Sequence, residues 1–358
     1  MNPVTQRLLN QQLICQQFNA PHDVVEWMGA MQAQEFRLMR QAVTMRTRRP
    51  SADAFEADYN AGRIVRCHLF RTTWQLVAGE DWRWMLDLCR TNALRGLAGW
   101  MNSNGVSIPQ AEQERVQQIF SDYLSGHRIA QKADFASAVA DAGIAMNDQR
   151  LSYHIRLAEY SGLVCSGDLF PQRHSYALAD AKLPTQAPLP REEALALLAR
   201  KYFRSHGPAT LDDFVWWSGL GIGDCRQGIA SIEGELLRER WQGLELIRHR
   251  DSRTRGFRSG STILLPSYDE YLIGYKSRHL VLPPHFSHRA HNNRGIFWPV
   301  ILRDGLVVGN WSLAGGKLQT DLFEPDCRID EAAGLDCSRV VEKMYAASKN
   351  GQNCSPHV

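Results

Sequence analysis

The sequence has no C-x-x-C pair anywhere. Its eight cysteines, Cys15, Cys67, Cys89, Cys165, Cys225, Cys327, Cys337 and Cys354, stand singly. That spacing argues against a zinc knuckle or a disulfide framework and for a reducing compartment, so a cytoplasmic protein is expected. No apolar run approaches the roughly 18 to 20 residues needed to cross a bilayer, and no membrane association is expected. The N-terminus, "MNPVTQRLLNQQLICQQF", has a helix pattern without the apolar block and cleavage site of a secretory signal. There is no Walker loop, and "GLGIGD" lacks the preceding strand and spacing of a dinucleotide fingerprint. No G-x-S-x-G elbow occurs either. ATP, NAD and serine-hydrolase chemistry are therefore unsupported, and no cofactor is expected.

A strong excess of one charge is also missing. Lys and Arg number 41 against 38 Asp and Glu, a formal net charge of +3. The positive charge is uneven, however. Arg46, Arg48 and Arg49 crowd into "MRTRR", and Arg248, Arg250, Arg253, Arg255 and Arg258 into "RHRDSRTRGFR". Either cluster alone reads as a solvated loop, but local basic stripes are also how a near-neutral protein holds a polyanion. The spacing of His285, His288 and His291 in "HFSHRAH" suits metal ligands, but no carboxylate partner lies nearby. A polar loop facing phosphates is the better reading, and no metal is expected.

What is present is a repeat. "YLSGHRIAQKADF" and "YFRSHGPATLDDF" share the pattern Y-x3-H-x2-A-x3-D-F. It is carried by Tyr123, His127, Ala130, Asp134 and Phe135, and again by Tyr202, His206, Ala209, Asp213 and Phe214, at a constant offset of 79 residues. Each copy continues with a helix-like run and then a strand–turn–strand pattern. Helix, helix, helix, hairpin is the order of a winged helix. In the second copy the hairpin wing would hold the five arginines from Arg248 to Arg258. Residues 1–108 fit a third, more divergent module, with helical patterns over about 3–18, 21–32 and 35–47. A strand-like "RIVRCHLFRTTWQLV" and a Trp-rich helix starting near Gly79 follow.

These patterns predict an α+β protein of three tandem winged-helix modules, 1–108, 109–182 and 183–262. "AKLPTQAPLPREE" reads as the linker into the third. Residues 263–358 are read as a small barrel-like β unit, with a tight turn at "RDG" and a final helix in "DEAAGLDCSRVVEKMYAAS". Tandem winged helices with arginine clusters point to double-stranded DNA, bound by a monomer associated with the nucleoid. A protein-interaction scaffold stays open as an alternative, because fold does not fix function.

The stretch "MGAMQAQEFR" holds two glutamines, Gln32 and Gln34, one residue apart. Val24, Val25, Met28 and Met31 before them lie at helical spacing, as a buried stripe does. On a helix, residues two apart project about 200° from each other; on extended chain they project to the same side. The two amides converge only if the helix stops near Met31. Gly29 and Ala30 leave room there for another backbone to approach.

"WMGAMQAQEF" resembles the Q-x-Q motif of the AlkZ-like DNA glycosylases. "VRCHLFRTTWQLVAGEDWRWM", "YFRSHGPATLDDFVWWSGL", "LLPSYDEYLIGYKSR" and "RGIFWPVILRDGLVVGNW" resemble further segments of the same superfamily, in the same order along nearly the whole chain. The resemblance implies three winged helices and a β-barrel wrapped around duplex DNA. It also implies monofunctional excision of alkylated purines, including the opening of interstrand crosslinks made through purine N7. Gln32 and Gln34 take the catalytic place. An N7- or N3-alkylated purine is already cationic and departs without a general acid. What remains is to hold a water below C1′ and to tolerate an oxocarbenium-like transition state, which two amide carbonyls can serve. Glutamine is not a base at neutral pH. Glu35 is a carboxylate neighbour that would point away on extended chain. Arg71 and Thr72 are candidates for gripping phosphate, and Asp269, Tyr271 and Arg278 for lining the cleft. Gln75 stands where relatives often carry His, and Ser312 where they tend to carry a basic residue; both put substrate preference in question. A non-catalytic DNA-binding regulator of the same fold is the alternative reading.

Overall fold

The structure is a computed structural model that describes residues 2–170, 173–314 and 317–328. The expected final helix, at 330–348, lies outside the described residues. Helices and antiparallel sheets alternate along the chain, so the molecule is α+β.

The two repeat copies fold into the same order of elements. In the first, helix Gln110–Gly126 leads to a short strand Ala130–Gln131, helices Lys132–Asp141 and Asp148–Ser161, and strands Val164–Ser166 and Ser175–Leu178. In the second, helix Arg191–Ser205 is followed by helices Leu211–Ser218 and Ile222–Ser231 and by the hairpin Leu236–Trp241/Leu244–His249. The conserved alanines do the same work: Ala130 pairs with Tyr176 and Ala209 with Ile247. The aspartates also match. Asp134 and Asp213 each accept the main-chain N–H three residues back in a capping box, which starts the helix that Phe135 or Phe214 buries.

Of the five arginines of the second cluster, only Arg248 lies in a strand of the hairpin. That hairpin turns at Gln242–Gly243, both with positive φ, the geometry a two-residue turn needs. Arg248 and Arg250 lie at its far end, and Arg253, Arg255 and Arg258 follow in an irregular segment that crosses to a different sheet. There Arg253 is tied to the N-terminus through the carbonyls of Leu9 and Cys15.

Residues 262–322 form a four-stranded antiparallel sheet in the spatial order Lys317–Leu322, Leu306–Ala314, Val300–Arg303, Thr262–Leu265. Among the described residues it is open and does not close into a barrel. The predicted tight turn is present: Asp304 and Gly305 both take positive φ between Arg303 and Leu306. Val4, Leu8 and Leu13 from the N-terminus pack into the same apolar cluster as Ile263, Leu265 and Val300. The N-terminal helix and this sheet are thus built into one core.

The N-terminal helices are shorter than their patterns: Pro3–Asn10, Pro21–Met28 and Met39–Thr44. The long Trp-rich helix runs Trp82–Ser103. Strands Ala30–Gln32, Trp74–Ala78 and Ile64–His68 form a small antiparallel sheet with Trp74–Ala78 in the middle. This sheet carries the Q-x-Q segment.

Candidate active site

The helix before the glutamines stops at Met28, three residues earlier than the pattern suggested. Gly29 takes φ 79°, which a side chain would strain. A Cβ there would also stand 3.2 Å from Cβ of Lys201 on helix Arg191–Ser205. From Ala30 the chain is extended and pairs with Trp74–Ala78, with Gln32 opposite Gln75. The ladder continues to Ala33, whose N–H donates to the Trp74 carbonyl at 2.8 Å. Gln32 and Gln34 therefore project to one side, and both line a single cleft of about 790 Å³.

Two buried groups fix this segment from behind. The Arg66 guanidinium donates from Nε (3.1 Å) and Nη2 (2.9 Å) to the carbonyl of Ala33, the residue between the two glutamines. It lies over the Trp74 ring at 3.9 Å, which holds it in place. On the other side, the Gln32 N–H donates to Oε1 of Glu270 at 2.5 Å. The Gln32 side chain is nearly buried, with Nε2 3.3 Å from the Thr73 hydroxyl, whereas Gln34 is exposed in the cleft.

One group of cleft residues centres on His68. Its Nδ1 is 2.7 Å from Glu159 Oε2 and its Nε2 2.9 Å from Arg156 Nη2. Arginine can only donate, so Nε2 accepts and Nδ1 carries the proton, a tautomer assigned from the hydrogen bonds. Burial holds the imidazole below its ordinary pKa against the pull of Glu159. With both nitrogens occupied, His68 is a wall and not a free acid. Trp74 packs on it, and Trp100, 52% exposed, stands at the rim with Arg156 against its ring.

The second group is a stack of Arg71, Trp216 and Arg278. Both guanidiniums lie within 6 Å of the Trp216 ring, at 5.3 and 5.6 Å. Burial and then the charge of Arg71 push the Arg278 guanidinium down to about 10. Nε and Nη2 of Arg71 are shielded and have no hydrogen-bond partner among the described residues. Arg71 and Thr72 both hold positive φ, 57° and 59°, as does Tyr268 across the cleft lining. Such strain in non-glycine residues gathers at functional sites. Gly219 makes room for it, since a Cβ there would meet Arg71 Cγ at 3.0 Å.

A loop over 291–295 completes the lining. The Asn292 side chain accepts from the N–H groups of Arg294 and Ile296, and Gly295 turns the chain with φ 80°. The "HFSHRAH" run thus leads into the cleft at His291. Among the described residues, no three His, Cys, Asp or Glu side chains gather in a metal-binding cluster.

The predicted site residues divide. Gln32, Gln34, Arg71, Thr72 and Arg278 meet in the cleft. Asp269 and Tyr271 do not line it. Asp269 caps the helix Glu270–Ile273 and pairs with Arg46 through two bonds of 2.8 and 2.9 Å, and the Tyr271 hydroxyl donates to the Gly305 carbonyl in the core. Arg46 is correspondingly fully buried, an anchor between chain segments and not a surface contact for DNA. Arg48, Arg49, Arg250, Arg255 and Arg258 are exposed but outside the cleft, and Arg248 is half-buried beside Glu239. Glu35 turns back to accept from the Arg37 N–H. Sequence reasoning missed Arg66, His68, Trp100, Arg156 and Trp216. Only the Asn-Asn-Arg-Gly turn at 292–295 and the tryptophan pair in "FVWWSG" gave a local signal.

A cleft lined by Arg71, Arg156, Arg278 and Arg294, rimmed by tryptophan and lacking any carboxylate among its described lining residues, suits a nucleic acid. The sequence places it more narrowly: the family model of the AlkZ-like DNA glycosylases matches residues 25–341, and the chain belongs to that family. DNA glycosylases are hydrolases of N-glycosyl bonds. The chain is 23% identical over 320 residues to an interstrand DNA cross-link repair glycosylase of Streptomyces sahachiroi, covering 85% of each. Its fold is similar to the solved structure of the Streptomyces sahachiroi DNA glycosylase AlkZ, with a TM-score of 0.74 at 17% identity over 96% and 95% of the two chains. Among the described residues, no helix is long and apolar enough to cross a membrane.

Proposed function

We propose that the protein hydrolyses the N-glycosidic bond of cationic N-alkylated purines in duplex DNA, and unhooks interstrand crosslinks made through such purines. The observation that carries this reading is the pair of amides, Gln32 and Gln34, held on extended chain in one arginine-lined cleft. In the reaction the C1′–N9 bond breaks and its electron pair leaves with the purine, cancelling the purine's charge. A water held by the two amide oxygens bonds to C1′ and releases its proton to solvent. No lining carboxylate offers itself as acid or nucleophile, which fits a substrate that needs neither.

The four lining arginines meet the phosphates, with Arg71 and Thr72 at the one nearest the lesion. Arg48, Arg49, Arg255 and Arg258 serve the backbone further out. The matching element order of the two repeat copies supports winged-helix modules over 109–182 and 183–262, with a divergent third over 1–108 and a β unit over 263–358. We expect a monomer acting on DNA in the cytoplasm. The test is release of free base from a duplex with a single N7-methylguanine, and of one strand from an N7-crosslinked duplex. Salt-sensitive binding with no release of base from either would leave a DNA-binding protein without this activity.

A further inference from the structure

Glu270 is the least explained charge near the cleft. It sits on helix Glu270–Ile273, 2% exposed and hidden behind the lining. Oε1 accepts the Gln32 N–H, and Oε2 lies 3.3 Å from Nε2 of His206. Among the described residues it has no hydrogen bond to any lysine or arginine, unlike its neighbour Asp269, which Arg46 neutralises. His206 stands against its other oxygen. Its Nε2 faces the carboxylate, and its Nδ1 lies 2.8 Å from Ser205 Oγ, whose hydroxyl also faces the Lys201 carbonyl at 2.7 Å. Burial lowers the pKa of that ring against the pull of Glu270, which favours its neutral form. Space around the carboxylate is tight: a Cβ at Gly274 would stand 2.9 Å from Oε2.

A buried carboxylate with no lysine or arginine bonded to it, balanced only through space by Arg71, is costly and calls for a reason. The chemistry supplies one. Guanidiniums around the cleft hold phosphates, but they repel the cationic purine and the positive charge that grows at C1′. A carboxylate fixed directly behind Gln32 opposes that repulsion where it matters and is already oriented before reaction.

We propose that Glu270 is a charged positioning residue for the hydrolysis: it pins the Gln32 main chain in its extended form and sets a negative charge behind the face where C1′ becomes cationic. This rests on the glycosylase reading above. The experiment uses the full chain, a duplex with one N7-methylguanine, and single-turnover rates measured beside duplex affinity and melting temperature. Glu270→Gln keeps the acceptor for Gln32 and the size of the side chain while removing the charge. Its rate constant should fall about 10- to 100-fold with duplex Kd unchanged. Glu270→Asp keeps the charge and shortens the reach, so it should be faster than Glu270→Gln. A Glu270→Gln rate equal to wild type overturns the proposal. So does a Glu270→Asp rate no better than Glu270→Gln, or a loss of affinity and melting temperature in step with the rate. Failure of the wild-type protein to release any base would instead overturn the reading beneath it.

Discussion

The two copies of the repeat make the same local structure and different use of it. In each, the tyrosine ring stacks on the histidine four residues later, at 4.2 Å for Tyr123–His127 and 4.8 Å for Tyr202–His206. In each, the aspartate caps a helix and the phenylalanine enters the core. The first copy ends there: His127 is exposed and bonds only to its own turn, at the Tyr123 carbonyl. In the second copy His206 is buried against Glu270, behind Gln32. Asp213 accepts two further N–H groups, from Lys276 and Ser277, beside its cap. Arg7 and Asn10 donate to the carbonyls of Pro208 and Gly207 between them. The same five side chains serve only their own module in one place and, in the other, form the plinth on which the N-terminal helix and the Lys276–Ser277 segment support the site.

Matched substitutions put that contrast to the test. The largest difference should come from the histidines. His206→Ala leaves Glu270 unpaired and opens a cavity, costing about 2 to 4 kcal/mol of stability, while His127→Ala should stay within about 0.5 kcal/mol. Denaturant midpoints at fixed slope measure both, and equal losses would dissolve the distinction. The aspartates should differ less. Asp213→Asn weakens the bonds to Lys276 and Ser277 as well as a cap, for about 1 to 3 kcal/mol, and Asp134→Asn weakens a cap alone, for about 0.5 to 1 kcal/mol.

A third comparison sets a cleft arginine against one outside it. Arg71→Ala should weaken duplex binding about 10-fold and lower the salt slope by about one, whereas Arg255→Ala should change affinity no more than about twofold. Titration of binding against salt concentration reads both. The smallest effect is in the pH dependence. Burial lowers the pKa of His68, His154, His174 and His206. Below about pH 6.5 the unfolded chain takes up protons that these folded sites refuse, so stability should fall as pH drops through that value. His22, raised chiefly by its bond to Glu80, works in the opposite direction. His206→Gln should make the fall shallower; a steeper or unchanged slope would show that this site does not contribute.

What the sequence revealed was local. The repeat, the capping aspartates, the Asp304–Gly305 turn and the break before the Q-x-Q segment all depend on residues within a few positions of each other. The site's supports depend on distance in the chain. Arg46 looked like a surface cation because its partner, Asp269, is 223 residues away. Arg66 reaches Ala33 across the small sheet, and Glu270 reaches Gln32 over 238 residues. No periodicity carries such pairings. The supposed wing of five arginines failed for a related reason: strand Leu244–His249 and strand Thr262–Leu265 belong to different sheets, a choice made by packing against the N-terminus.

The central claim is that Gln32 and Gln34, and not a carboxylate or an imidazole, serve the hydrolysis. Single-turnover release of N7-methylguanine by the Gln32→Ala/Gln34→Ala double variant tests it most directly, with duplex affinity measured on the same preparation. The account predicts a rate at least about 100-fold below wild type, as when a preorganised polar group is removed, with binding retained. Release at the wild-type rate by a variant that still binds the duplex would contradict it.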